Sequence, residues 1–156
     1  MSETYEEIVE GETYLRMPPG PRHELICSRL HDSIATSLAG ISTTRLLPRR
    51  SVVQISSGTI VRPDIALVTV ATGKIWLVAE VISSDDHRPD TVMKKQIYEE
   101  LNIPRLWMID PRYDNVEVYH GSQYGLTLKQ ILAVRDILNE PLLPAFQFTI
   151  TELFKK

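Results

Sequence analysis

One cysteine, Cys27, is the whole thiol content of the 156 residues. That excludes an intramolecular disulfide and a zinc site built from cysteine alone, and it suits a reducing cytoplasm. Core packing is its simplest role. No apolar run approaches the roughly 20 residues of a membrane span, and the acidic start Met1-Ser2-Glu3-Thr4-Tyr5-Glu6-Glu7 has neither the basic nor the apolar region of a signal peptide. A cytoplasmic protein with no membrane association is expected. There is no Gly-rich phosphate loop and no nucleophile elbow, so acids, a metal and a lysine are left to carry any chemistry. Excess charge is also small. A net −3 with a pI near 5.8 argues against strong nonspecific nucleic-acid affinity, which depends on cations displacing counterions from phosphate. Any DNA contact therefore needs a local patch. Arg45, Arg49 and Arg50 form one candidate, and Arg62, Lys94 and Lys95 form another nearer the acids described below.

What is present is enough apolar sequence, 43% of the chain, for one domain with a full core spanning 1–156. Val9-Glu10-Gly11-Glu12 reads as a turn between short extended pieces, an N-terminal hairpin that Pro18-Pro19-Gly20-Pro21 ends. Ile26, Leu30, Ile34 and Leu38 recur every four positions, which predicts a helix over 22–39, with Gly40 placed for a left-handed cap. Strands are expected over 43–47, 51–55, 60–68 and 74–82. Asp90 is placed to cap a helix over 91–101, in which Asp90, Lys94 and Tyr98 form a stripe beside the buried Met93, Ile97 and Leu101. A strand at 106–109, a hairpin turning at 120–125 and a Pro-punctuated tail with a short final helix complete an α/β sandwich around a mixed sheet flanked by helices. Trp107 and Phe146 read as core.

Glu80 is the anomaly. It interrupts the strand Ile75-Trp76-Leu77-Val78-Ala79-Glu80-Val81-Ile82, which is apolar on both faces, with Trp76, Val78 and Ile82 on one and Leu77, Ala79 and Val81 on the other. An unpaired buried carboxylate costs several kcal/mol, so Glu80 requires an open strand end with a cation, a donor cluster or a raised pKa. Asp64 sits in a second apolar run just after Pro63. Two such acids on neighbouring strands suggest a metal site, and Lys94, on the helix stripe bordering the sheet, is the lysine placed to join them. Simpler readings stand beside this one. A Pro-Asp pair also starts or bends a strand, Glu80 also fits an acid paired with an arginine such as Arg62, and Asp90 with Lys94 also reads as i, i+4 helix support. His23, at the start of the first helix, fits a surface or capping group better than a site residue. Asp85, Asp86, His87 and Asp90 fit an acidic loop capping a helix as well as a second metal cluster.

Pro63-Asp64 followed by Glu80-Val81-Ile82 resembles the metal-binding half of the PD-(D/E)xK restriction-endonuclease-like superfamily. A longer ordered series resembles one branch of it, the Uma-two family. That series comprises Glu7-Ile8-Val9-Glu10-Gly11-Glu12, His23, Glu80-Val81-Ile82-Ser83, Asp90 with Lys94 and Tyr98, Ile103-Pro104-Arg105-Leu106-Trp107-Met108-Ile109-Asp110-Pro111, and Leu142-Leu143-Pro144-Ala145-Phe146. Ile82 stands where the wider superfamily carries its lysine, so the resemblance moves that role to Lys94. Asn102 replaces the family's usual glycine before Ile103-Pro104, and asparagine tolerates the left-handed conformation.

The resemblance implies a restriction-endonuclease-like core and a Mg2+-dependent endonuclease acting on DNA phosphodiesters, with Mn2+ as the alternative ion. Asp64, Glu80 and the Val81 carbonyl would hold the metal, and Lys94 would orient the attacking water or stabilise the pentacovalent phosphorus. Glu7, Glu12, His23, Asp90 and Tyr98 are accessory candidates, and Arg62 and Lys95 are candidates for nucleic-acid contact. One site cuts one strand, so double-strand cleavage predicts a two-fold homodimer. A catalytically inactive nucleic-acid-binding or assembly protein of the same fold is the competing expectation, and a hydrolase of another phosphoester is a third.

Overall fold

Glu10 and Gly11 both take left-handed backbone angles, φ 49° and 82°, the two-residue turn geometry that matches strand twist. They join β1 (Tyr5–Val9) to β2 (Glu12–Arg16) as the expected N-terminal hairpin. The computed structural model describes residues 4–83 and 88–156, without the side chains of residues 88–90. Pro21 then opens α1 (Pro21–Ser37) at the position where a missing N–H leaves no helix bond unmade. Ile26, Leu30 and Ile34 bury one face of α1, and Gly40 takes φ 80° just beyond its end.

Next come β3 (Thr44–Leu46), β4 (Val53–Ser56), β5 (Thr59–Val61), β6 (Ile65–Thr69) and β7 (Ile75–Val81). The expected single strand over 60–68 is two strands in two different sheets. Pro63 has no N–H to give a ladder, and the Arg62 N–H is turned to a side chain, Glu7 Oε2, at 2.8 Å. The chain therefore leaves one sheet at Val61 and enters the other at Ile65. After β7, α2 (Arg88–Glu100) crosses over to β8 (Arg105–Asp110), which pairs parallel to β7. Asp90 is consequently the third residue of α2 and not its cap. Its side chain and residues 84–87, with the proposed cluster Asp85, Asp86 and His87, lie outside the described residues. Asn102 ends the helix region with φ 57°, the conformation expected of it.

β9 (Asn115–Ser122), β10 (Gly125–Ala133), β11 (Ile137–Glu140), β12 (Leu143–Thr149) and α3 (Ile150–Phe154) complete the chain. The sheets are a six-stranded mixed one in the order β10-β9-β8-β7-β6-β3, a four-stranded one in the order β2-β1-β5-β4, and the pair β11-β12. Among the described residues no helix is long and apolar enough to cross a membrane.

The six-stranded sheet is covered on both faces, as the apolar parity of β7 predicts. Ile26, Leu30 and Ile34 of α1 cluster with Leu77, Ala79, Val81, Trp107 and Phe146. Ile97 and Tyr98 of α2 cluster with Val78, Ile82, Leu106 and Met108 on the other face, joined by Val9 and Val61 from the four-stranded sheet. Trp107 stacks on Phe146 with centroids 5.7 Å apart, so both are core. Trp76 departs from its expected face. One step on β6, Leu67 to Val68, opposes two on β7, Leu77 to Ile75, so Trp76 is the extra residue of a bulge and clusters with Leu77.

At Gly121, β9 passes so near the 103–104 corner that an added Cβ would lie 2.0 Å from the Ile103 carbonyl oxygen. Gly121→Ala should therefore displace backbone and lower stability by about 1–3 kcal/mol, read as a reduced urea midpoint. An unchanged midpoint would show that the corner yields freely.

Candidate active site

The β6–β7 ladder stops at the pair Ile65 and Ala79. Beyond it, two carboxylates take over the backbone donors. The Asp64 N–H donates to Glu80 Oε1 at 3.0 Å, and the Val81 N–H donates to Asp64 Oδ2 at 2.8 Å. This reciprocal arrangement explains how both acids stay buried, Asp64 at 5% exposure and Glu80 at 3%, since each compensates a donor that would otherwise be orphaned.

Alternation along β7 places Glu80 with Val78 and Ile82 on the α2 side. Lys94, in the second turn of α2, meets it there, Nζ donating to Glu80 Oε2 at 2.7 Å and lying 3.6 Å from Glu7 Oε1. Glu7 is wholly buried and is held by Arg16 Nε at 2.8 Å and by the Arg62 N–H. Tyr98, one helical turn beyond Lys94, has a buried hydroxyl with no hydrogen-bond partner among the described residues. From α1, His23 Nε2 reaches within 3.4 Å of Asp64 Oδ2. On the other side, Arg50 Nε lies 3.9 Å from Asp64 Oδ1.

These neighbours drive the two acids apart. Burial pushes the Asp64 carboxyl upward, but the His23 hydrogen bond and charge, then Lys94 and the Val81 N–H, outweigh it and hold the group below the ordinary range. Burial raises Glu80 to about 7 against the opposing pull of Lys94, with the charges of Asp64 and Glu7 adding to the rise. Lys94 is penalised by burial, yet Glu80 and Glu7 keep it cationic well beyond the usual lysine range. Burial and then the Glu80 charge keep the Tyr98 phenol protonated.

A cleft of about 640 Å³ opens over this group, with Tyr5, Arg16, Arg22, His23, Asp64, Val81, Lys94 and Arg112 among its lining residues. The structure thus brings together Asp64, Glu80, Val81, Lys94, Glu7, His23 and Tyr98. His23 is corrected from a surface or capping group to a buried one in the first turn of α1. Three other candidates are placed differently. Glu12 is exposed at the start of β2 and accepts from the Tyr14 hydroxyl. Lys95 packs over the Tyr119 ring at 5.3 Å. Arg62 touches the cluster through its backbone N–H, so Glu80 pairs with Lys94 and not with Arg62.

The sequence reading also missed Tyr5, Arg16, Arg22, Glu24 and Arg112, and it set Arg50 in a basic patch apart from the acids. Tyr5 carried a usable signal, since period two puts it on one face of β1 with Glu7 and Val9. Arg50 carried none. It takes φ 55° and pairs with Glu24, as does Arg49 at 3.7 Å, so the proposed basic patch is partly neutralised.

A family model described as "Uma2: Putative restriction endonuclease" matches residues 2–151. The chain belongs to this Uma2 family. No curated protein matches it. Among solved structures, this Uma2 chain is similar to one described as a putative nuclease belonging to DUF820 from Anabaena variabilis ATCC 29413. The TM-score is 0.79 at 18% identity, covering 96% of this chain and 89% of that one. At that identity the likeness concerns the fold, and the Uma2 core is restriction-endonuclease-like.

The raised Glu80 pKa has a pH consequence for the metal-free protein. Between the ordinary 4.5 and about 7, folded Glu80 keeps a proton that the unfolded chain has released. Its contribution to stability is therefore fully present below the first value and lost as pH rises through the second. Urea unfolding at about pH 5 and about pH 8 should show a loss of a few kcal/mol in the native protein that Glu80→Gln largely removes. An equal loss in both would assign the pH dependence to other groups.

Proposed function

We propose that this protein is a magnesium-dependent endonuclease that hydrolyses DNA phosphodiesters, with manganese as the alternative ion. The supporting observation is the buried pair Asp64 and Glu80 at the ends of adjacent strands, with Lys94 beside it, beneath a cleft whose wall includes Arg16, Arg22 and Arg112. Membership of a family described as "Putative restriction endonuclease", and likeness to a chain described as "a putative nuclease", support the same reading.

The donor set fits a hard divalent cation, which takes carboxylate and carbonyl oxygens. Among the described residues Asp64 Oδ1 accepts no hydrogen bond and the buried Tyr98 hydroxyl has no partner. Asp64, Glu80 and the Val81 carbonyl would hold the ion. When bound it supplies charge neutralisation at phosphate and a more acidic water. Lys94, kept cationic by Glu80 and Glu7, donates to the attacking water or to a phosphate oxygen as charge grows there. The arginines of the cleft wall give the local phosphate contacts that a net charge of −3 denies the surface as a whole. A two-fold homodimer would present one site to each DNA strand.

One observation favours the competing reading of an inactive binding or assembly protein. Both Glu80 oxygens are engaged, one by the Asp64 N–H and the other by Lys94.

Supercoiled-plasmid nicking decides between them. Magnesium- or manganese-dependent nicking by the native protein should be abolished in Glu80→Gln and reduced about 10²–10³-fold in Lys94→Met. Absence of nicking by folded native protein would transfer the conclusion to the binding reading. Lys94→Met also strips two buried acids of their cation, so at about pH 8 it should lose on the order of 3–5 kcal/mol in urea unfolding. Magnesium should restore part of that loss, and a variant insensitive to magnesium would count against Asp64 and Glu80 as ligands.

A further inference from the structure

We infer that His23, Cys27 and Asp64 form a second cation site, selective for a thiophilic transition metal of the zinc class, which shares Asp64 with the magnesium site and thereby switches the nuclease off. The inhibitory consequence rests on the nuclease reading, whereas the metal site itself does not.

His23 and Cys27 are one turn apart on α1, so their side chains rise from the same face. His23 Nδ1 lies 3.6 Å from Cys27 Sγ, and Nε2 lies 3.4 Å from Asp64 Oδ2. Counting one donor atom from each side chain, all three lie within 4.8 Å of one another. A tetrahedral zinc with ligands at about 2.0–2.3 Å needs donors about 3.3–3.8 Å apart, so His23 must present a single nitrogen to the ion and donors as far as 4.8 Å apart must close by about 1 Å. All three residues are buried, and His23 and Asp64 also line the cleft, which leaves an open coordination position facing solvent.

Donor softness separates the two sites. Burial holds the Cys27 thiol protonated, so binding releases its proton to solvent. The resulting thiolate and an imidazole select zinc-class ions, while the oxygen set of Asp64, Glu80 and Val81 suits magnesium. Around the trio, Glu24 Oε1, 3.6 Å from His23 Nδ1, favours a dication, and Arg50 Nε, 3.9 Å from Asp64 Oδ1, opposes one. Asp64 is common to both donor sets, so a zinc-class ion drawing it toward α1 takes a ligand from the other site.

The test uses the full-length metal-free protein with Co2+ as the optical probe and Zn2+ as competitor. The native protein should develop a thiolate-to-cobalt charge-transfer band at one equivalent, which Zn2+ removes. Zn2+ should also suppress magnesium-dependent nicking. Cys27→Ser should lack the band and bind Zn2+ at least about 100-fold more weakly, beyond the usual cost of losing an outer-shell partner. It should nick with magnesium as the native protein does and resist Zn2+. Cys27→Ala, checked by thermal unfolding, gives the same reading if serine disturbs the core. No band in the native protein, or equal Zn2+ binding by a folded variant, overturns the site. A band without nicking keeps the metal site and removes the nuclease reading, and nicking without a band does the reverse.

Discussion

Everything at the candidate site depends on one exchange of hydrogen bonds, Asp64 N–H to Glu80 and Val81 N–H to Asp64. Where a ladder ends inside a protein, the next donors face a low-dielectric interior with no partner. Here carboxylates stand in for backbone carbonyls, so the same atoms finish the sheet and furnish negative charge. The acids are therefore part of the sheet's own bonding, which is why neither the reading of Asp64 as a strand starter nor that of Glu80 as a bare ligand suffices. Their protonation behaviours diverge for the same reason. Both are buried, but at Asp64 the His23 hydrogen bond and charge outweigh that burial, whereas at Glu80 the charges of Asp64 and Glu7 add to it against Lys94, and titratable neighbours driven apart in this way mark acid–base sites in general.

The helix origin of the lysine follows from strand parity. Glu80 and Ile82 face the same layer, and that layer is completed by α2. A cation for Glu80 can come from the strand itself or from the helix packed across it. Ile82 has taken the apolar option and sits in the cluster with Ile97 and Tyr98, and Lys94 delivers the charge from the opposite wall. Because α2 is also the crossover between the parallel strands β7 and β8, its position against the sheet is set by the topology and not by a mobile loop.

Local chemistry was legible in the sequence wherever one short segment contained it. Glu10-Gly11 gives the opening turn, Asn102 takes its left-handed angle, and Glu80 and Asp64 declare themselves as acids among apolar neighbours. The two core layers were legible too, apart from Trp76, whose bulge reflects the register of a partner strand. The failures share a cause. The break at 62–64 depends on Glu7 capturing the Arg62 N–H across 55 positions, and the burial of His23 depends on where α1 meets the end of β6. Lys95 is one residue from Lys94, Glu12 pairs with Val9 across the hairpin that carries Glu7, and only the tertiary register tells which face each side chain takes. Arg50 belongs to the same class, since nothing local marks an arginine for a left-handed turn that aims it at Glu24 and Asp64.

The hydrogen bond from Arg62 to Glu7 has a kinetic meaning. The cluster draws on β1, α1, the 62–64 corner, β7 and α2, so no contiguous segment contains it. Each carboxylate remains hydrated until those segments have converged, and closing such long loops comes before any reward from the contact. During synthesis the first strand emerges early and waits for a lysine made much later. A nascent or partly opened chain therefore exposes separated acids without the paired arrangement, and the cluster reports completed folding of the whole domain.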